Sequence, residues 1–152
     1  MLTFEEYVDQ DALGLAKLIR DGEVTAAEVV ETALDRADAV NPQINAIVAR
    51  RDDVARNQAA GPLGKGPFAG VPFVFKDLGC WQEGWPAEAG SNLYKGFVAP
   101  TDFTHTMRVK ETGAVPIART TSSEFGISIS TETEAFGATR NPQEAYGRDL
   151  KD

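Results

Sequence analysis

Apolar residues early in the chain recur with the three-to-four-residue spacing of amphipathic helices. After Thr25 these positions share one helical face: Ala26, Val29, Val30, Ala33, Leu34, Ala37 and Val40. Thr25 with Glu28 fits the capping box, in which a hydroxyl and a carboxylate three residues later bond the first free backbone N–H groups, and Thr3 with Glu6 repeats it. The pattern therefore predicts helices beginning at both threonines.

Proline and glycine mark where the predicted helices end. Asn41–Pro42 predicts the end of the long helix, because the residue before a proline avoids the helical region. An earlier helix is predicted over Asp11 to Arg20, closing at Gly22. Residues 44–48 fit either a short strand or an extended link. Residues 52–60 predict another helix, and the Gly- and Pro-rich stretch 61–70 predicts a loop.

The second half of the chain carries two short apolar runs bounded by glycine or charge. Residues 71–76 and 115–118 predict buried strands. Between them we expect a loop over 79–100 and a helix over 102–112 with Gly113 at its C-cap. The Ser/Thr-rich remainder predicts a loop with a helical turn near Glu124. Helices that alternate with short apolar strands indicate the α/β class.

Composition and charge narrow the classes of function. The 152 residues, 42% hydrophobic and 25% charged, are ordinary for one globular domain. A net charge of −8 without a stripe of Lys and Arg argues against nucleic-acid binding. One cysteine, Cys80, leaves no internal disulfide or cysteine metal cage. We expect a cytoplasmic protein without a membrane segment, because neither a secretory signal nor a long apolar run occurs.

Two side chains are catalytic candidates on their local sequence. Lys76 closes the apolar run Val-Pro-Phe-Val-Phe, and burial favours the neutral form of a lysine, which can accept a proton. On local sequence alone, a lysine that reaches solvent or pairs with Asp77 is more common. His105, the single histidine, fits a solvated position on the helix at 102–112 better than a catalytic one.

Three motifs, in order along the chain, favour the catalytic interpretation of Lys76. They are GPFAGVPFVFKD at 66–77, TGAVPIARTTSSEFG at 112–126 and STETEAFGATRNP at 130–142. In order and spacing they resemble the amidase-signature family, and the resemblance covers nearly everything up to Pro142. The third motif is most similar to the branch that hydrolyses small or cyclic amides, including nylon-oligomer hydrolases of the 6-aminohexanoate cyclic-dimer type. Aliphatic and aryl amidases share the signature, as does the A subunit of the amidotransferase that makes Gln-tRNA.

The resemblance implies a Ser–cis-Ser–Lys mechanism with neither metal nor organic cofactor. In that mechanism Lys76 is the base, acting through a bridging serine on a nucleophilic serine. The family places both serines in a Gly-Gly-Ser-Ser-Gly-Gly-Ser segment, which these 152 residues lack. Ser122 and Ser123 are interpreted as turn or cap residues. By analogy, Ser130 and Thr131 are candidates for lining a pocket for a small amide substrate.

The resemblance also implies an incomplete α/β/α fold, with a helical lead-in followed by short strands of a mixed sheet. We expect residues 1–142 to be the N-terminal part of an amidase-signature domain and 143–152 to be a divergent tail. On its own such a chain is expected to be inactive and to leave the strand at 71–76 as an exposed apolar edge. A non-catalytic remnant or interaction module, and a half-enzyme that needs a separate C-terminal part, stay open, as does the oligomeric state.

Overall fold

The computed structural model describes residues 2–142, so the predicted tail at 143–152 lies outside the described residues. Five α-helices and five short strands alternate along these residues. In chain order they are α1 Phe4–Val8, α2 Ala12–Asp21, α3 Ala26–Ile44, β1 Ile47–Arg50, α4 Asp52–Ala60, β2 Pro72–Lys76, α5 Thr104–Glu111, β3 Val115–Thr120, β4 Glu132–Thr133 and β5 Gly137–Ala138. Single 3₁₀ turns occur at Asn92–Tyr94 and Glu124–Gly126, the second at the turn predicted near Glu124.

The predicted helix starts are confirmed. In α3 the Thr25 hydroxyl accepts from the Glu28 N–H at 3.1 Å, and the Glu28 carboxylate accepts from the Thr25 N–H at 2.9 Å. Thr3 and Glu6 form the same capping box at the start of α1. Helix α2 ends at Gly22, whose φ of 75° is a left-handed conformation that glycine adopts without a steric penalty. Local sequence therefore determines these ends.

The end of α3 differs from the prediction, because the helix continues through Pro42 to Ile44. Pro42 lies in the last turn, where its missing N–H removes a single backbone hydrogen bond. The chain leaves the helix at Asn45, which is left-handed with φ 50°. The Asn41 side chain then accepts from the N–H groups of Ala46 and Ile47, at 2.8 Å each. The following strand starts at Ile47 for this reason, rather than at Ile44.

The three-stranded sheet has the order β1–β3–β2 and is mixed, as predicted. Strand β2 is parallel to β3, to which it connects through α5, and β1 is antiparallel to β3. The prediction of a buried strand at 115–118 is confirmed, and β3 extends further, to Thr120. The helix predicted over 102–112 is shorter, at Thr104–Glu111, and its C-cap is Thr112 rather than the predicted Gly113, which follows with a left-handed φ of 85°.

Strand β2 lies at the edge of this sheet, which corrects the prediction of a buried strand. Phe75 is buried, whereas Phe73 is 36% exposed and Val74 is 41% exposed. The reason is pairing: within residues 2–142, β2 has β3 on one side and no strand on the other. The apolar edge expected for these residues in isolation is therefore present.

Helices α3 and α4 cover β3 and form the main core. Its buried members are small and branched aliphatic residues: Ala26, Val30, Ala33, Leu34, Ala55, Ala59, Val115, Ile117 and Ala118. A second cluster joins α2 and α3 to the start of β2 through Leu2, Leu15, Ala16, Val29 and Val71. Burial of this kind contributes about 25 cal/mol per Å² of apolar surface. The helical lead-in therefore supports the sheet.

Candidate active site

Lys76 is the last residue of β2, and its side chain is exposed. Within residues 2–142 its ammonium group forms no ion pair, so of the two local alternatives the pairing with Asp77 is wrong, and the one in which the side chain reaches solvent agrees with the structure. His105 is also exposed, as predicted, with its ring 6.3 Å from that of Phe75. The structure therefore leaves the Lys76 amine available at the open end of an edge strand.

A buried ion pair lies directly beneath this strand end. Arg119 of β3 donates from Nε to Asp77 Oδ1 at 3.3 Å. Asp77 is 2% exposed and Arg119 is 0% exposed. Arg119 is the partner that Asp77 has in place of Lys76. The central strand thus supplies a buried cation beside the candidate catalytic lysine.

The Arg119 guanidinium also binds backbone on both sides of Asp77. Its Nη2 donates to the Lys76 carbonyl at 2.9 Å, and its Nη1 donates to the Cys80 carbonyl at 2.8 Å. The Asp77 N–H in turn donates to the Thr120 carbonyl at 2.8 Å. One side chain from β3 therefore fixes the chain as it leaves β2.

Two backbone N–H groups complete the surroundings of the Asp77 carboxylate. Glu88 N donates to Oδ1 at 3.0 Å, and Gly90 N donates to Oδ2 at 3.2 Å. Ala89 between them is left-handed with φ 53°, and Gly90 has φ 69°. A Cβ at Gly90 would lie 2.4 Å from the Ser122 carbonyl oxygen, so the position requires glycine.

Burial and pairing act in opposite directions on both ionisable groups. Burial raises the pKa of Asp77, and the Gly90 N–H and the Arg119 charge oppose that rise. Burial lowers the pKa of Arg119, opposed by the charge of Asp77. A guanidinium stays protonated in proteins, so Arg119 supplies a buried positive charge beside the Asp77 carboxyl group.

The serine-rich segment after β3 folds against the loop that carries Gly90. Ser122 and Ser123 are buried and bond locally, donating to the carbonyls of Ser123 and Ser128 at 2.9 Å each. This confirms their interpretation as turn residues. Phe125, left-handed with φ 49°, donates its N–H to the Ala89 carbonyl at 3.0 Å.

The two predicted substrate-binding residues lie further along this segment. Ser130 is exposed, and its hydroxyl is 3.3 Å from that of Ser128. Thr131 is half-buried, and its carbonyl accepts from the Thr139 N–H at 2.8 Å. Neither forms a hydrogen bond with Lys76 among the described residues, so their role in binding stays a prediction.

Sequence reasoning missed Arg119 and the loop at 88–90. A usable signal was present for Arg119, which follows the apolar run of β3 much as Lys76 follows that of β2. Because the two strands are parallel, their carboxyl ends meet at one edge of the sheet. The loop has no comparable signal, since Glu88 and Gly90 act through backbone N–H groups.

Five large apolar side chains are exposed in β2 and in the segment that follows β3. Besides Phe73 and Val74, the segment after β3 exposes Phe125, Ile127 and Ile129. We call these five residues the open surface. A cavity of about 350 Å³ lies elsewhere, between α2 and the loop at 61–70, and none of the candidate site residues lines it. Among the helices of residues 2–142, none combines the length and the hydrophobicity that a transmembrane span requires.

Comparison with known proteins gives concordant matches. The family model described as Amidase matches residues 28–146. A 6-aminohexanoate-cyclic-dimer hydrolase of Paenarthrobacter ureafaciens is 38% identical over 135 residues, 88% of this chain and 27% of that protein. A solved structure of such a hydrolase superposes with a TM-score of 0.84 at 37% identity, covering 90% of this chain and 28% of that one. The A subunit of the glutamyl-tRNA(Gln) amidotransferase of Acidothermus cellulolyticus is 36% identical over 146 residues, 90% of this chain and 28% of that protein.

Proposed function

The chain belongs to the amidase family, and on that premise we propose that it is the lysine-bearing N-terminal part of an amide hydrolase. It spans about 27–28% of the length of the relatives it matches. The observation that carries the proposal is the placement of Lys76, exposed at the end of β2 above a buried ion pair and within the matched residues. An amine in that position is open to a reacting group from outside these residues.

In the proposed reaction Lys76 is the base. It accepts the proton of a nucleophilic serine through a bridging serine, the nucleophile attacks the amide carbonyl, and the lysine later returns a proton to the departing amine. The segment that carries both serines in the family does not occur in these 152 residues. Loss of a serine nucleophile typically costs on the order of 10⁶ in turnover. We therefore propose that these 152 residues do not hydrolyse amides alone.

The proposed substrate is a small or cyclic amide, and the reaction takes place in the cytoplasm without a metal or organic cofactor. Similarity to the 6-aminohexanoate-cyclic-dimer hydrolase supports this substrate class. Ser130 and Thr131 are proposed to line the substrate pocket. Both lie in the segment 130–142, which resembles that branch of the family.

A second candidate is the corresponding part of a glutamyl-tRNA(Gln) amidotransferase, supported by 36% identity to the Acidothermus cellulolyticus protein. Such amidotransferases and the amide hydrolases would use the same lysine and differ in the amide they accept. A chimaeric enzyme that turns over glutamine but not a cyclic amide would favour the amidotransferase. A non-catalytic interaction module would instead give a monodisperse, cooperatively melting chain whose Lys76 affects no reaction.

The first experiment assays the purified 152-residue chain with acetamide and with the 6-aminohexanoate cyclic dimer. We expect no turnover above the rate in buffer. Robust turnover that disappears in Lys76→Ala would contradict the claim that the residues present are insufficient. Lys65→Ala is the matched control, because it removes another exposed lysine, in the loop at 61–70. It should leave any turnover unchanged.

The second experiment supplies the rest of the fold. Residues 1–142 replace the equivalent segment of a 6-aminohexanoate-cyclic-dimer hydrolase, since the two superpose closely. We expect the chimaera to hydrolyse the cyclic dimer, Lys76→Ala to abolish that activity and Lys65→Ala to retain it. A soluble, folded chimaera that is inactive with Lys76 intact would count against the proposed function.

A further inference from the structure

We infer that Asp77 and Arg119 are positioning residues, which fix the direction in which the Lys76 side chain leaves the sheet. The inference rests on the proposed function of Lys76 as the catalytic base. Neither residue touches the reacting atoms in this account. They act through the backbone to which the lysine side chain is attached.

The peptide group between Lys76 and Asp77 is held at both ends. Its carbonyl oxygen accepts from Arg119 Nη2 at 2.9 Å, and its N–H donates to the Thr120 carbonyl at 2.8 Å. The plane of a peptide group is rigid, so holding both ends fixes one of the two peptide planes at the Lys76 Cα. The direction of the Cα–Cβ bond is thereby restricted before the side chain makes any contact.

An edge strand needs such an anchor more than a central strand does. Within residues 2–142, β2 pairs only with β3, so its end lacks a second ladder of hydrogen bonds. Beyond Lys76 the chain enters a long loop that contains no strand. Arg119 also binds the Cys80 carbonyl at 2.8 Å, which holds the start of that loop beside the strand end.

The Asp77 carboxylate ties the same point to a strained loop. Ala89 is a left-handed non-glycine residue, and its conformation lets the N–H groups of Glu88 and Gly90 both reach the carboxylate. Phe125, also left-handed, bonds to Ala89. Strain of this kind persists where the surroundings over-determine a conformation, and it clusters at functional sites.

Stability alone is a poor explanation for this pair. Replacing a buried ion pair by uncharged groups is often neutral for stability, because desolvation cancels much of the attraction between the charges. All three donated bonds of Arg119 end at Asp77 or at the backbone carbonyls of Lys76 and Cys80. The pair is therefore directed at the geometry around Lys76.

The test removes both charges together, as Arg119→Met with Asp77→Asn, which leaves no unpaired buried charge and keeps one acceptor oxygen for the two N–H groups of Glu88 and Gly90. In the 152-residue chain we expect faster amide hydrogen exchange at residue 77 and Gly90, with the exchange of β3 unchanged. In the chimaera we expect kcat to fall about 10²-fold with KM unchanged, as expected for a displacement of roughly 1 Å. Arg119→Lys, which keeps the charge but loses the fork of donors, should give an intermediate kcat.

The matched control is Glu31→Gln with Arg56→Gln, which removes an exposed pair joined at 2.7 and 2.8 Å. It should change neither readout. Unchanged exchange at residue 77 in the Arg119→Met, Asp77→Asn variant, or an unchanged kcat, would overturn the inference. A uniform acceleration of exchange across β3 would also overturn it, since that result indicates a structural role only.

If the double variant does not fold, Arg119→Lys supplies both readouts. An inactive chimaera with Lys76 intact counts against the proposed function, and the exchange measurement then decides the anchoring alone.

Discussion

Two regions of the molecule differ in how completely their apolar side chains are covered. In the first, α3 and α4 pack on β3 and bury a continuous set of aliphatic side chains. In the second, the edge strand β2 and the segment after β3 expose the open surface, including the fully exposed Ile129. The first region has the properties of a finished protein core, and the second has those of an exposed apolar patch, which is typical of surfaces that bind other groups.

Because of this difference, the residues that stabilise the fold and the candidate catalytic lysine lie in different regions. The helix-covered core supplies the apolar burial that folds the chain, whereas Lys76 lies beside the open surface. The Asp77–Arg119 pair links the two regions, since Arg119 belongs to the central strand and its donors reach the end of the edge strand. Substitutions in the core, in the link and on the open surface should therefore have different consequences.

The largest loss of stability is expected when only one member of the Asp77–Arg119 pair is removed. Arg119→Met leaves the Asp77 carboxylate buried without its cation, which typically costs about 3–5 kcal/mol. Adding Asp77→Asn should recover most of that loss, because the uncompensated charge disappears. Urea unfolding of the two variants measures the difference. A double variant as unstable as the single one would show that packing, rather than charge, holds this region.

A core substitution should cost nearly as much, and a matched one on the open surface almost nothing. Leu34 is 1% exposed within the main core, so Leu34→Ala is expected to lose about 2–5 kcal/mol. Ile129→Ala should stay within about 0.5 kcal/mol of the parent chain. Unfolding midpoints in urea distinguish the two. Equal losses of unfolding free energy in the two variants would contradict the proposed difference between the regions.

The dependence of stability on pH tests the Asp77–Arg119 pair in a third way. Burial raises the pKa of Asp77 above its ordinary value of 3.8, so the folded state binds this proton more tightly than the unfolded state. The stability from this group is full below that ordinary value and is lost as the pH rises through the folded-state pKa. Arg119→Met should enlarge the loss, because the opposing charge is gone.

Urea unfolding at pH values from about 3 to about 7 measures this dependence, a range that spans the titration of buried and exposed carboxyls. Other carboxyl groups titrate over the same range. The useful quantity is therefore the difference between Arg119→Met and the double variant that also carries Asp77→Asn. A difference that stays constant with pH would show that Asp77 is not the responsible group.

The smallest effect on stability is expected at the sheet edge, where association should change instead. Val74→Lys places a charge on the exposed edge of β2, which discourages pairing with another chain. Val8→Lys is the matched control, since Val8 is 42% exposed on α1 and Val74 is 41% exposed. Sedimentation velocity should show less association for Val74→Lys alone. An equal reduction in both variants would indicate a general effect of charge.

How much of the structure could be predicted from the sequence depends on how far apart along the chain the interacting residues lie. The capping boxes and the helical stripe of α3 depend on residues three or four apart, so periodicity identifies them. The prediction at Pro42 is wrong because Asn41 and Asn45 supply an ending beyond it. The edge position of β2 depends on which strands pair. Arg119 and Asp77 lie 42 residues apart, a separation that local patterns do not report.

Single-turnover hydrolysis of the 6-aminohexanoate cyclic dimer by the chimaera, with Lys76 intact and with Lys76→Ala, tests the central claim most directly. General acid–base catalysis contributes about 10²–10⁴-fold, and we predict a loss at least that large in the variant, with folding and substrate binding retained. Equal rates for the two proteins, in a chimaera that is folded and active, would contradict the assignment of Lys76 as the base.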